Sequence, residues 1–169
     1  MPLTSRPEAS DLFPAVQQEI ARLVALAEVR SAFAWFLSNE EQLTRWQLEL
    51  ARIPAPPFGE QARSEWLLEH FFELGLSDVH SDKVGNVFGI RPGAGNKYIA
   101  LSAHVDTVFP AGTPLNIRQQ ETRLYGPGVS DNGAGVTAML ADSGIEFTDV
   151  PPRIIPILKV VLGEAGSGV

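Results

Sequence analysis

The sequence predicts an α/β fold in which helices flank a mixed β-sheet. Before Gly75, apolar residues recur at helical spacing. After Gly75, short apolar runs alternate with turn residues and with one short helical pattern. Helices followed by strands mixed with helices are typical of a sheet that carries helices on its faces.

The first part of the chain is predicted to be helical, after a loose, polar N-terminus at residues 1–13. Pro14 suits a first helical turn, and Gly75 suits the end of a helix. The prolines of Ile53–Gly59 remove backbone donors, so this segment is expected to be a loop. The predicted helical segments are Pro14 to Leu37, a second segment that begins near Leu43, and Glu60 to Leu74.

The second part is predicted to contain the sheet. The apolar run Tyr98–Ala103 is typical of a buried central strand. Ser77–Asp82 is polar and is expected to be a turn that exposes His80. The remaining predicted elements are a strand at Val84–Ile90, a hairpin at Leu115–Leu124, a short helix at Val136–Ala141 and a buried strand at Ile154–Leu162.

Composition limits the chemistry that is available. The 169 residues have a formal net charge of -7 and contain no basic run, which argues against a nucleic-acid partner. The chain has no cysteine, so any metal must be held by His, Asp or Glu. No segment resembles a secretory signal or a membrane span, and a cytoplasmic location without a membrane partner is expected.

His104 and Asp106 directly follow the predicted strand Tyr98–Ala103. Ligands in open α/β sheets bind beyond the carboxyl ends of strands, and alternation places both side chains on one face. A metal-binding histidine commonly donates its other ring N–H to a carboxylate, which Asp106 can supply. In an isolated His-x-Asp sequence, however, a histidine satisfied by neighbouring backbone is the more frequent arrangement.

Asp131 lies in the glycine-rich segment Leu124–Gly135, just before a predicted helix. Its carboxylate can bridge two cations, or it can cap the helix by accepting the first free amides. For a single Asp the cap is the more frequent role. A phosphate-binding loop is a third possibility, but Gly126-Pro127-Gly128 matches no complete phosphate motif and no Lys follows the glycines.

Taken together, the segments Leu101–Val108 and Leu124–Gly135 resemble the co-catalytic zinc peptidases of the peptidase T, glutamate carboxypeptidase and aminoacylase group. The resemblance implies a two-metal site in which His104 ligates one metal and Asp131 bridges both. Asp106 would be a catalytic residue as the acidic neighbour that orients and polarises these ligands. It also implies a cis peptide bond between Asp131 and Asn132. The metals would be zinc, with cobalt or manganese as alternatives.

A departure from this group occurs at Gly163–Gly166. The resemblance implies that Glu164 is the catalytic general base, whereas Ala165 stands where the group has a metal-ligating Glu. Residues 14–169 are therefore expected to form the N-terminal part of a metallopeptidase catalytic domain, incomplete at its C-terminus and without the lid or dimerisation domain. Full-length members of the group are often homodimers.

Two functions follow from the resemblance. The first is a metal-dependent hydrolase of the exopeptidase or amidase type that acts on peptide or N-acyl amino-acid substrates. The second is a degenerate, inactive chain that keeps the fold and binds metal weakly, which Ala165 favours.

Overall fold

The computed structural model describes residues 9–91, 98–144 and 157–160. The chain divides into two compact units, Met1–Ser38 and Asn39–Val169. Both candidate metal ligands lie in the second unit.

The first unit contains two helices, α1 (Ala9–Val24) and α2 (Ala27–Ser38), so the prediction of one continuous helix is wrong. The amide of Leu26 donates to the carbonyl of Leu23, three residues back, at 3.0 Å. This tighter bond interrupts the α-helical ladder between the two helices. In addition, α1 begins before Pro14. A proline this close to the helix start removes only one backbone donor.

The second unit contains α3 (Glu40–Arg52), α4 (Gln61–Glu73) and α5 (Gly133–Gly144). The helices α3 and α4 confirm the predicted segments, and Gly75 follows α4 with a φ of 70°. In the part of the chain that the structure describes, no helix combines the length and the apolar character that crossing a membrane requires.

Among the described residues, a four-stranded mixed sheet forms the other layer, with strand order β1-β2-β6-β3. The strand β6 pairs antiparallel with β2 and parallel with β3, as the predicted mixed sheet requires. A separate hairpin, β4-β5, confirms the turn predicted after Leu115. The strands are β1 (Ser77–Ser81), β2 (Val87–Arg91), β3 (Tyr98–Leu101), β4 (Arg118–Gln120), β5 (Arg123–Tyr125) and β6 (Ile157–Val160).

Two strand predictions are wrong. The strand β3 lies at the edge of the four described strands, and Ala100 and Leu101 are exposed. An apolar run predicts a strand, but it does not specify which strands pair with it or which elements pack on its faces. Ser77–Ser81 was expected to be a turn and is the strand β1. Its residues are mostly exposed, so the alternation of apolar and polar residues that indicates a strand is absent.

The core lies between the helices and the sheet and extends to the segment after β3. Ala103 and Val105, which flank His104, belong to this core. They fix the backbone on both sides of the candidate ligand by packing. The other buried members are Leu50, Leu67, Phe71, Leu76, Val87, Val136, Met139 and Leu140.

Phe71 and Phe72 are adjacent on α4 and provide a matched test of this core. Phe71 is fully buried, whereas Phe72 is 64% exposed. Phe71→Ala is expected to lower the free energy of unfolding by about 3–5 kcal/mol because it removes packed apolar surface and leaves a cavity. Phe72→Ala is expected to change it by less than about 1 kcal/mol. Urea unfolding measures both values, and equal losses would contradict this assignment of the core.

Candidate metal centre

His104 and Asp106 alternate with buried residues after β3. Ala103 and Val105 are 7% exposed, whereas the side chains of His104 and Asp106 are 42% and 45% exposed. The two polar side chains therefore lie on the same, accessible side of the segment, as the sequence predicts. Buried neighbours therefore fix the backbone from which the imidazole projects.

Asp131 is presented by a glycine-rich bend that leads into α5. Gly126 and Gly128 have φ values of 146° and 71°, which side chains with a Cβ rarely adopt. The peptide bond between Asp131 and Asn132 is cis, which confirms the expectation from the family resemblance. The Asp131 side chain is 86% exposed and is therefore available to a ligand.

The structure brings His104, Asp106 and Asp131 together. Nδ1 of His104 lies 3.0 Å from Oδ1 of Asp106 and 3.2 Å from its backbone oxygen. Both oxygens are acceptors, so Nδ1 carries a proton and donates it. Nε2 lies 2.9 Å from Oδ1 of Asp131. The imidazole therefore joins two carboxylates that are distant in sequence.

This geometry bears on the alternatives that the sequence left open. The backbone oxygen of Asp106 does accept from His104, but the imidazole also contacts two carboxylates, so it is not a histidine satisfied by backbone alone. Among the described residues, no amide of α5 donates to the Asp131 carboxylate. The capping role is therefore not the one that Asp131 has here.

The donor types fit a divalent metal such as zinc. When Nδ1 is held by Asp106, the Nε2 lone pair can face a cation that the Asp131 carboxylate also contacts. Within residues 9–91, 98–144 and 157–160, however, no three His, Cys, Asp or Glu side chains form a group that could hold a metal ion. The described residues thus provide part of a ligand set. Glu164 and Ala165 lie outside the described residues.

A side chain of α3 and a backbone carbonyl of the α3–α4 loop hold the two ligand segments. The amide of Gln47 donates to the carbonyl of Val129, close to Asp131, at 2.8 Å. The backbone amide and the hydroxyl of Thr107 both donate to the carbonyl of Ala55, at 2.8 and 3.1 Å. These residues were not identified from the sequence, because a polar side chain bonded to a distant carbonyl leaves no local pattern.

Arg63 is a buried cation beneath the centre that the sequence analysis also missed. It is 1% exposed. Burial lowers the pKa of Arg63 to about 10, and the charge of Asp106 partly offsets this effect, so the guanidinium is protonated at neutral pH. Arg63 occupies the buried face of α4 with Leu67 and Phe71, at intervals of four residues. A charged residue at the spacing of buried apolar residues was the feature of the sequence that could have indicated this role.

A cavity of about 550 Å³ adjoins the centre, and His104 and Asp106 form part of its wall. This volume suits a small ligand. Asp82, on the opposite wall, accepts hydrogen bonds from the amides of Val84 and Asn86 and from the Asn86 side chain. The side-chain bond is the main reason why the pKa of Asp82 lies below its ordinary value. The turn that lines the cavity is therefore organised by one carboxylate.

Comparison with known proteins agrees with the fold and the motifs. A model of Peptidase family M28 matches residues 86–144, the range that contains all three side chains of the centre. Among solved structures, a tripeptidase from Staphylococcus aureus superposes with a TM-score of 0.59 and 27% identity, covering 73% of this chain and 36% of the tripeptidase. Aminopeptidase PepT from Bacillus cereus gives a TM-score of 0.61 with 20% identity. The fold is that of a zinc-exopeptidase catalytic domain.

The resemblance to the co-catalytic zinc peptidases is confirmed by these matches, and the described residues cover part of such a domain. A relative from Pyrococcus abyssi, provisionally named LysW-lysine/LysW-ornithine hydrolase, is 33% identical over 101 residues. A protein of the same name from Thermococcus kodakarensis is 35% identical over 95 residues. The matches cover 60% and 56% of this chain but only 28% and 26% of those relatives.

Gly128 provides a test of how the two segments of the candidate metal centre pack. A Cβ at Gly128 would lie 2.8 Å from Cγ2 of Thr107, whereas a Cβ at Gly112 would meet nothing within 4 Å. Both glycines have positive φ, so Gly112→Ala is the control for backbone strain. Gly128→Ala is expected to cost about 1–3 kcal/mol more than Gly112→Ala, because the segments must separate. Urea unfolding measures the difference, and equal costs would refute the close packing.

Proposed function

We propose that the chain forms part of a metal-dependent hydrolase that cleaves peptide or N-acyl amino-acid bonds. The observation that carries this proposal is the contact of His104 with Asp106 on one ring nitrogen and with Asp131 on the other, at 3.0 and 2.9 Å. The names of the similar proteins support the reaction class, since they denote a hydrolase, a tripeptidase and an aminopeptidase.

The described residues have defined roles in this proposal. Asp106 accepts a hydrogen bond from Nδ1–H of His104, which keeps the proton on Nδ1 and leaves Nε2 available as a ligand. Nε2 and the exposed carboxylate of Asp131 would hold one cation, and the second oxygen of Asp131 would be available to another. When bound, such cations would supply a lowered pKa of water and polarisation of the substrate carbonyl. Zinc is the proposed metal, because an imidazole and a carboxylate are ligands that it accepts readily.

Glu164 is the proposed general base by resemblance, and it would take the proton of the attacking water and pass it to the leaving amine. The proposal extends to residues 14–169 as the N-terminal part of the catalytic domain. The cavity beside His104 and Asp106 is the proposed place for a substrate side chain. A cytoplasmic location stays a prediction of the sequence.

The second candidate is a chain that keeps the fold and binds metal weakly. It is favoured by Ala165, which offers no donor atom where the resemblance implies a ligating Glu. Hydrolysis of trialanine or N-acetylalanine, lost with a chelator and restored by zinc, supports the hydrolase. Weak binding of one metal without hydrolysis supports the inactive chain.

Replacement of His104 tests the proposed metal centre directly. His104→Ala is expected to abolish zinc binding in calorimetry, because it removes the nitrogen ligand. His80→Ala is the matched control, since His80 lies on β1 with a half-exposed side chain and its carboxylate neighbour is Asp78. His80→Ala is expected to leave zinc affinity within about twofold of the original value. Zinc binding that is equally weak in both variants, or absent from the unaltered chain, would overturn the proposal.

A further inference from the structure

Arg63 links the candidate metal centre to the helical layer through two backbone carbonyls. Its Nη1 donates to the carbonyl of Val105 at 2.8 Å, and its Nε donates to the carbonyl of Ile53 at 2.9 Å. Val105 is the residue between His104 and Asp106, whereas Ile53 is the C-cap residue that directly follows α3. One rigid guanidinium therefore spans the end of α3 and the segment that bears both polar side chains.

The strength of this link follows from its charge and its burial. Hydrogen bonds from a charged donor are roughly twice as strong as neutral ones. Arg63 is 1% exposed, so water does not compete for these carbonyls. Burying a guanidinium is costly unless it is compensated, and among the described residues its Nη2 has no hydrogen-bond partner. An apolar residue would fill this position of α4 at lower cost, so packing alone does not account for an arginine.

We propose that Arg63 is a positioning residue that fixes the peptide bond between Val105 and Asp106. By fixing this bond, Arg63 orients the imidazole so that Nε2 of His104 faces Asp131. The carbonyl of Val105 can turn only if the peptide plane that joins it to Asp106 turns as well. That rotation would alter the 3.0 Å contact between Asp106 and Nδ1 of His104, and with it the orientation of the ring. The metal-affinity part of this inference rests on the proposed function, whereas the orientation of the ring does not.

Ser64 provides the matched control for a purely structural role. It follows Arg63 on α4 and is 5% exposed. Its hydroxyl donates to the carbonyl of Gly85 at 2.8 Å, so it also joins α4 to a distant loop. That loop forms part of the wall of the cavity beside the centre, as Ser64 does, but it carries neither His104 nor Asp131. Ser64→Ala therefore removes a buried bond from the same helix to a carbonyl outside the centre.

The decisive measurement is the ¹⁵N chemical shifts of the three histidine rings in the metal-free chain. Arg63→Met is expected to shift the ring nitrogens of His104, because their hydrogen bonds to Asp106 and Asp131 change. His70 and His80 contact other residues and serve as internal references. Ser64→Ala is expected to leave the His104 signals unchanged. Arg63→Lys, which lacks the fork that reaches two carbonyls at once, is expected to give an intermediate shift.

Zinc affinity is the second readout. Arg63→Met is expected to lower it about 10–100-fold, as is usual when a residue that orients a ligand is removed. Ser64→Ala is expected to change it by less than about twofold.

Unchanged His104 signals in Arg63→Met, or equal shifts of all three histidines, would overturn the inference. Should Arg63→Met not fold, Arg63→Lys decides in the same way. Failure of the unaltered chain to bind zinc would instead refute the proposed function, and the metal-free spectra would still decide the role of Arg63.

Discussion

The carbonyl oxygens at the end of α3 and in the following loop are the fixed points on which the centre depends. The carbonyl of Ile53 accepts from Arg63, and that of Ala55 accepts two bonds from Thr107. The prolines of this loop limit its conformations, so these acceptors are held without regular secondary structure. The segment that bears His104 is attached to them on both sides of Asp106, at Val105 through Arg63 and at Thr107 directly. A loop that carries none of the candidate ligands thus helps to fix their geometry.

Charge explains why this arrangement suits a cation. His104 lies between two carboxylates, and the side chain of Asp131 is largely exposed. The exposed carboxylate of Asp131 beside Nε2 favours a cation bound at that point. The positive charge of Arg63 lies on the buried side of the same segment and is held by backbone carbonyls. Positive charge therefore supports the segment from within the protein, while negative charge faces the solvent.

The sequence predicted elements that depend on local patterns and failed where distant contacts decide. Helix α4 was predicted because apolar spacing and Gly75 mark its extent. The pairing of His104 with Asp131 was predicted because the two motifs that contain these residues together resemble a known family. The break at Leu26 was missed because the surrounding residues all suit a helix. The position of β3 at the edge of the described strands was missed, because its neighbour β6 is distant in sequence and no local pattern specifies which strands pair. Arg63 was missed because its partners are backbone atoms, which are the same in every sequence.

Two consecutive helices hold the two halves of the centre. Gln47 on α3 binds the backbone beside Asp131, whereas Arg63 on α4 binds the backbone beside His104. Any shift of one helix relative to the other is therefore transmitted to the imidazole and the carboxylate as a change in their separation. An insertion or deletion between Ile53 and Gly59 would alter that separation although it touches neither side chain. The length of the loop between α3 and α4 is therefore constrained, although nothing in the exposed residues of that loop indicates this constraint.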